Sequence, residues 1–171
     1  VEEMAAIKML IQQERYEDVF VKYDELVKRF PKSLQRAYID NLVSSMKENE
    51  SKRYSDLARN HANLNGVDSD WDRCIAWMDR ALALKSTPEY QDFRKSYQTN
   101  KDCQVIYKNA RKLVQERDWN KALQEYAKID PKNIYGELAK PELQNLKDTD
   151  SMTRAVQLYK NGKVQEALEY Y

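Results

Sequence analysis

Apolar residues recur along this chain at helical spacing from end to end. Met4, Ile7, Leu10 and Ile11 share one face of a helix over 1–13. Tyr16, Val19, Phe20, Tyr23, Leu26, Val27 and Phe30 predict a second helix over 16–30, which Pro31 stops, so the two form a hairpin. Leu34, Tyr38, Leu42 and Met46 step by four residues and predict a third helix over 34–47. Ser51 reads as the N-cap of a fourth over 51–64, with Tyr54, Leu57, Ala58, Ala62 and Leu64 apolar and Gly66 closing it. Asp70 caps a helix over 71–85 in which Trp71, Cys74, Ile75, Met78, Ala81 and Leu82 face inward. Ser86-Thr87-Pro88 breaks it, and Pro88 opens a short helix over 89–97. Asn100-Lys101-Asp102 reads as a turn before a helix over 103–116, which carries Val105, Ile106, Ala110, Leu113 and Val114. Trp119, Ala122, Leu123, Tyr126 and Ile129 define the next helix, closed by Asp130-Pro131. The stretch 132–148 holds Gly136 and Pro141 and predicts one short helix after Pro141. Asp150 or Ser151 caps a helix with Met152, Ala155, Val156, Leu158 and Tyr159; Asn161-Gly162 ends it, and a last helix starts at 164. No stretch has the two-residue period of a strand.

Four of these stretches resemble one another: 14–31, 69–86, 117–131 and 161–171. Each holds a small or β-branched residue followed four positions later by a bulky one, as Val19/Tyr23, Cys74/Met78, Ala122/Tyr126 and Ala167/Tyr171. Twelve positions before the small residue stand Ile7, Ala62, Ala110 and Ala155. A small residue lets two helices approach closely, and the bulky one fills the gap between neighbours. A signature repeated in this way predicts stacked helix pairs.

In these positions the chain resembles the tetratricopeptide repeat family, whose unit is two antiparallel helices. Pro31 fits that family's closing proline, Ser86 replaces it in the second copy, and Pro131 comes three residues early in the third. Spacing departs from the family. The positions Val19, Cys74, Ala122 and Ala167 lie 55, 48 and 45 residues apart, against about 34 in that family. Each interval therefore carries surplus chain, enough for a longer helix or an added short one. The resemblance implies an all-α array of about eight to ten helices in a single domain over 1–171. The half-a-tetratricopeptide arrays of RNA-processing scaffolds are a divergent relative of the same pattern.

Composition agrees with an all-helical chain. Only 3 Gly and 4 Pro occur in 171 residues, while 42% are hydrophobic and 33% charged. The 29 basic and 28 acidic residues give a net charge of +1, so no global field holds nucleic acid or an anionic membrane. No apolar run approaches the ~20 residues of a membrane span. The sequence begins at Val1 rather than Met and stops at Tyr171 within a helix pattern, which reads as a piece of a longer chain. An intracellular, cytoplasmic protein is the expectation.

Catalytic signatures are missing. Cys74 and Cys103 make no disulfide framework, and Cys74 occupies a small apolar repeat position. The lone histidine, His61, stands on a helix beside Ala62 and reads as a partly exposed or interfacial residue. No phosphate-cradling glycine loop and no nucleophile elbow is present. We therefore expect no enzyme, no cofactor, no metal and no small-molecule substrate. Most of the aromatic residues fall on packing positions rather than forming a base-stacking platform.

The resemblance implies a concave groove lined by first helices, which holds an extended peptide or a partner's helix. The donors expected to face it are Lys8, Arg59, Asn60, Asn63, Lys108 and Arg111. Arg grips carboxylates bidentately, Lys as a point charge, and Asn pairs with peptide backbone. An acidic segment or a C-terminal carboxylate is the partner this set would take. The same six also read as ordinary solvated helix residues. The function expected is that of a scaffold or adaptor. A regulatory repeat segment of a larger enzyme such as a kinase and an RNA-processing scaffold stay open beside it.

Overall fold

The computed structural model describes residues 2–31 and 36–170, and among them it holds eight α-helices and no strand. They are α1 (Glu2–Gln12), α2 (Tyr16–Arg29), α3 (Arg36–Asn65), α4 (Trp71–Leu84), α5 (Pro88–Gln115), α6 (Trp119–Tyr126), α7 (Ile134–Lys160) and α8 (Val164–Leu168), with a 3-10 turn at Gly66–Asp68. Each helix packs chiefly on its neighbours in sequence, and α5 also packs on α7.

From α2 onward, short helices alternate with long ones. The surplus chain between copies is thus extra helix: α3, α5 and α7 run for 30, 28 and 27 residues. Three predicted breaks are absent. Ser51 caps nothing; it lies in the middle of α3, fully buried, and donates its hydroxyl to the Ala81 carbonyl of α4 at 2.8 Å. Asn100-Lys101-Asp102 is helical, because Cys103 and Tyr97 on either side of it are both buried in one core. The segment around Gly136 and Pro141 is a single helix that continues past Asp150, held by Tyr135, Ala139, Leu146 and Ala155 on its buried face. Packing of a continuous apolar stripe outweighs the N–H that Pro141 lacks.

Helix starts with a side-chain cap include the predicted one at Asp70 and two not expected from the sequence, at Thr87 and Asp118. Asp70 accepts from the Arg73 N–H at 3.0 Å, Thr87 from Tyr90 at 3.2 Å, and Asp118 from Lys121 at 3.3 Å. Three of the turns between consecutive helices are built alike. Glu14, Arg117 and Gly162 take positive φ, and the next residue's N–H reaches back five positions, to Leu10, Leu113 and Leu158. That is a Schellman closure, repeated three times.

The buried face of α3 differs from the predicted one. Tyr38 is 64% exposed, and Ile39 and Val43 are buried instead; Leu34 lies outside the described residues. The small residue facing Cys74 is Ala58, whose carbonyl the Cys74 thiol approaches at 3.6 Å, while Ala62 is half-buried. The two extra residues of the Gly66–Asp68 turn move this contact about one turn up the helix.

Two hydrophobic clusters result. One gathers Ile7, Val19, Phe20, Leu26, Ile39 and Val43; the other runs from Tyr54 and Ala58 through Trp71, Cys74 and Met78 to Tyr126, Tyr135 and Leu146. Leu84 touches both, and α3 is continuous between them.

Candidate functional site

A groove opens along one face of α7. At one end a cavity of about 340 Å³ is lined by Arg111, Val114 and Gln115 of α5, Trp119 of α6, and Glu142, Asn145, Leu146 and Thr149 of α7. Beyond Trp119 a second cavity of about 450 Å³ is lined by the α5–α6 turn and by Asp150, Thr153, Arg154 and Gln157. The α7 residues recur at steps of three and four, one stripe four turns long. At 1.5 Å per residue the stripe from Glu142 to Gln157 spans about 22 Å, room for roughly six or seven extended peptide residues.

The wall near α5 is fixed by a carboxylate. Glu142 accepts hydroxyl hydrogen bonds from Tyr107 at 2.8 Å and from Tyr126, and the Arg111 guanidinium stands 3.7 Å away. Arg111 also lies over the Tyr107 ring, 5.5–6 Å being the usual reach of such a contact, here 5.9 Å. Burial, and then Glu142, push the Tyr107 hydroxyl up to about 12 and raise Tyr126 further in the same direction. Glu142 therefore acts as an anchor joining α5, α6 and α7, with its lone pairs engaged by the chain itself.

Further along, Trp119 is half-buried against the core and forms part of both cavities. Thr149 and Thr153 return their hydroxyls to the Asn145 and Thr149 carbonyls, each at 2.8 Å. Arg154 pairs with Asp150 at 2.9 Å. The Asn145, Gln115, Asn120 and Gln157 amides supply donors and acceptors of the kind that pair with a peptide backbone.

Of the six donors expected from sequence, Arg111 lines this groove; Lys8, Arg59, Asn60, Asn63 and Lys108 do not. All six are exposed. Lys8 is on α1, beside the other core cluster. The Arg59 guanidinium lies over the Phe93 ring of α5 at 5.0 Å. The six are spread over α1, α3 and α5, and the two arginines are engaged by the next long helix. The groove residues missed in sequence are those of α7. Their polar stripe was broken in two by reading Pro141 and Asp150 as helix starts, although Glu142, Asn145, Thr149, Thr153 and Gln157 share one face at helical spacing.

His61 is half-buried, edge-on to Trp77 at 5.6 Å, and its Nε2 accepts from the Asp70 N–H at 3.3 Å. Cys74 and Cys103 are free and buried, and burial pushes the Cys74 thiol up to about 11. Among the described residues no group of three or more His, Cys, Asp or Glu is placed to hold a metal. None of their helices is long and apolar enough to cross a membrane. The chain matches no protein-family model, no curated protein and no solved structure.

Proposed function

We propose that this chain is a non-catalytic interaction module, a divergent array of the tetratricopeptide kind, acting as scaffold or adaptor by holding an extended peptide segment of a partner protein. The observation that carries the reading is the stripe on α7 from Glu142 to Gln157, open along α5 and α6 for about 22 Å. Its lining joins side-chain amides, two threonines and one tryptophan, a mixture suited to main-chain pairing with side-chain pockets. Arg111, Arg117 and Arg154 line it together with Glu116, Asp118, Glu142 and Asp150. A segment of mixed charge fits that balance, with the acidic residues of the ligand drawn to Arg154 and Arg111.

The test is fluorescence anisotropy with a panel of labelled extended peptides of acidic, basic and mixed composition. Asn145→Ala with Gln157→Ala is expected to weaken the best binder about tenfold, the loss of one or two backbone hydrogen bonds. Affinity untouched by that double substitution rules the groove out. Preference for acidic peptides that survives Arg111→Ala combined with Arg154→Ala removes the carboxylate component.

A further inference from the structure

We infer that the groove reads a two-part signal in its ligand: a bulky apolar side chain held against Val114, Trp119 and Leu146, and an aspartate or glutamate about three or four residues away held by Arg117 and Arg154. The inference rests on the peptide-groove reading and names the ligand that reading leaves open.

The two cavities repeat each other along α7. Glu142, Asn145, Leu146 and Thr149 line the first. The α7 residues of the second each stand eight positions further on, which puts Arg154 where the first cavity has Leu146. Leu146 is buried, and with the half-buried Val114 and Trp119 it gives the first cavity an apolar side. The charged residues of that cavity, Arg111 and Glu142, face each other at 3.7 Å. Its selective contact is therefore apolar. The shift of eight residues along α7 is about 12 Å, which an extended peptide covers in roughly three or four residues.

The second cavity has a cation to spare. Each acid in its lining is engaged by the chain itself. Lys112 stands 3.8 Å from Glu116, Lys121 stands 2.7 Å from Asp118, and Arg154 stands 2.9 Å from Asp150. Arg117, at the turn between α5 and α6, also lines this cavity and is exposed. Among the described side chains, every other arginine holds a carboxylate or lies over an aromatic ring. Arg117 does neither, so all five of its donors are open to a ligand. Arg154 meets Asp150 through Nε, which leaves its two terminal amino groups. One unused guanidinium beside one half-used guanidinium makes a seat for a single carboxylate. Glutamine offers the same shape without the charge, so the seat discriminates between the two.

The probe is an array of labelled, end-capped octapeptides of Ser, Thr and Asn. Each carries one Leu or Phe and one Glu, one to six positions apart and in either order. Anisotropy with the full chain reads the binding. A spacing of about three or four should bind best. Replacing the peptide's Glu by Gln, or its apolar residue by Ser, should each weaken that binder at least about tenfold. Arg117→Gly gives this turn the residue that Gly162 supplies between α7 and α8, so the variant keeps its fold, checked by an unchanged or higher melting temperature. On it, as on Arg154→Ala, the Glu-to-Gln difference should shrink to about threefold or less, while the preference for Leu or Phe stays. Glu14→Gly makes the same change in a turn outside the groove and should leave every affinity as it was.

A Glu-to-Gln difference undiminished by Arg117→Gly overturns the inference, as does a best spacing outside that range. So does a preference seen only for an uncapped C-terminal carboxylate. In those cases a loss of affinity with Asn145→Ala and Gln157→Ala still upholds the groove. No binding by any member of the array, or binding indifferent to that double substitution, overturns the groove and the inference together.

Discussion

The Trp71 indole donates to the Tyr135 hydroxyl at 2.7 Å, and that hydroxyl donates in turn to the Val67 carbonyl at 2.6 Å. Both rings are buried, so α7 is tied to the start of α4 across 64 residues by groups that water does not reach. Tyr135→Phe leaves the indole N–H unpaired there and the Val67 carbonyl with only the Gln104 amide, at 3.2 Å. The expected cost is about 1–3 kcal/mol in denaturant unfolding, with helix content in the native state unchanged.

Ser51 offers a test of how α3 is built. Its side chain is closed in, with its hydroxyl on the Ala81 carbonyl, which also accepts from the Lys85 N–H. Ser51→Ala therefore costs only about 0.5–1 kcal/mol. Ser51→Asp, which an N-cap would welcome, buries a charge and should cost more than about 3 kcal/mol. Equal stability of wild type and Ser51→Asp in urea unfolding would place a helix start at this residue after all.

The three Schellman turns carry one glycine and two larger residues in the left-handed position. Glu14 and Arg117 sit at φ 55° and 60°, where a Cβ is strained. Glu14→Gly and Arg117→Gly are each expected to stabilise the chain by about 0.5–1 kcal/mol, net of the flexibility glycine adds to the unfolded state. Gly162→Ala, at φ 76°, should lower stability by a similar amount. Melting temperatures of the three variants read the sign directly.

The buried tyrosines should give up their protons only as the fold is lost at alkaline pH. Tyr97 and Tyr107 are both pushed up to about 12, chiefly by burial, and Tyr126 is raised by burial and Glu142. A raised value means the native state holds the proton more tightly than the unfolded one. Their contribution is complete below pH about 10 and is lost as pH climbs from about 10 to 12. The tyrosinate absorbance of these rings at 295 nm is expected to rise together with the collapse of far-ultraviolet ellipticity. Tyr107→Phe should move that collapse to higher pH or shrink it.

Helical content, the short helices and the start signals at Asp70 and Pro88 were legible because each rests on local chemistry, acting within one turn of itself. The lengths of the long helices were not. Asn100-Lys101-Asp102 and Ser51 carry turn-forming side chains, and only distant partners decide against the turn. Gly136 reads as a breaker, yet it sits inside α7 because the backbone of Asp130 and Pro131 passes over it. A Cβ there would meet the Asp130 carbonyl oxygen at 2.3 Å. The groove stayed hidden for the same reason, since its stripe exists only if α7 is unbroken. The choice of Arg59 and Arg111 caught positions that recur from unit to unit, but both meet the adjoining long helix.

Sharing one long helix between two neighbours limits how such a chain can change length. A residue deleted within α3, α5 or α7 turns everything beyond it by about 100° and draws it back about 1.5 Å. The part of that helix beyond the deletion would then present the wrong face to the elements it packs on. Length can vary only where helices end, and the chain shows it: its longest long-to-short connection is the turn at Gly66–Asp68, absorbed there by shifting the contact of Cys74 to Ala58. Insertions and deletions among relatives of this chain should therefore gather at the turns, and the three long helices should keep their lengths to the residue.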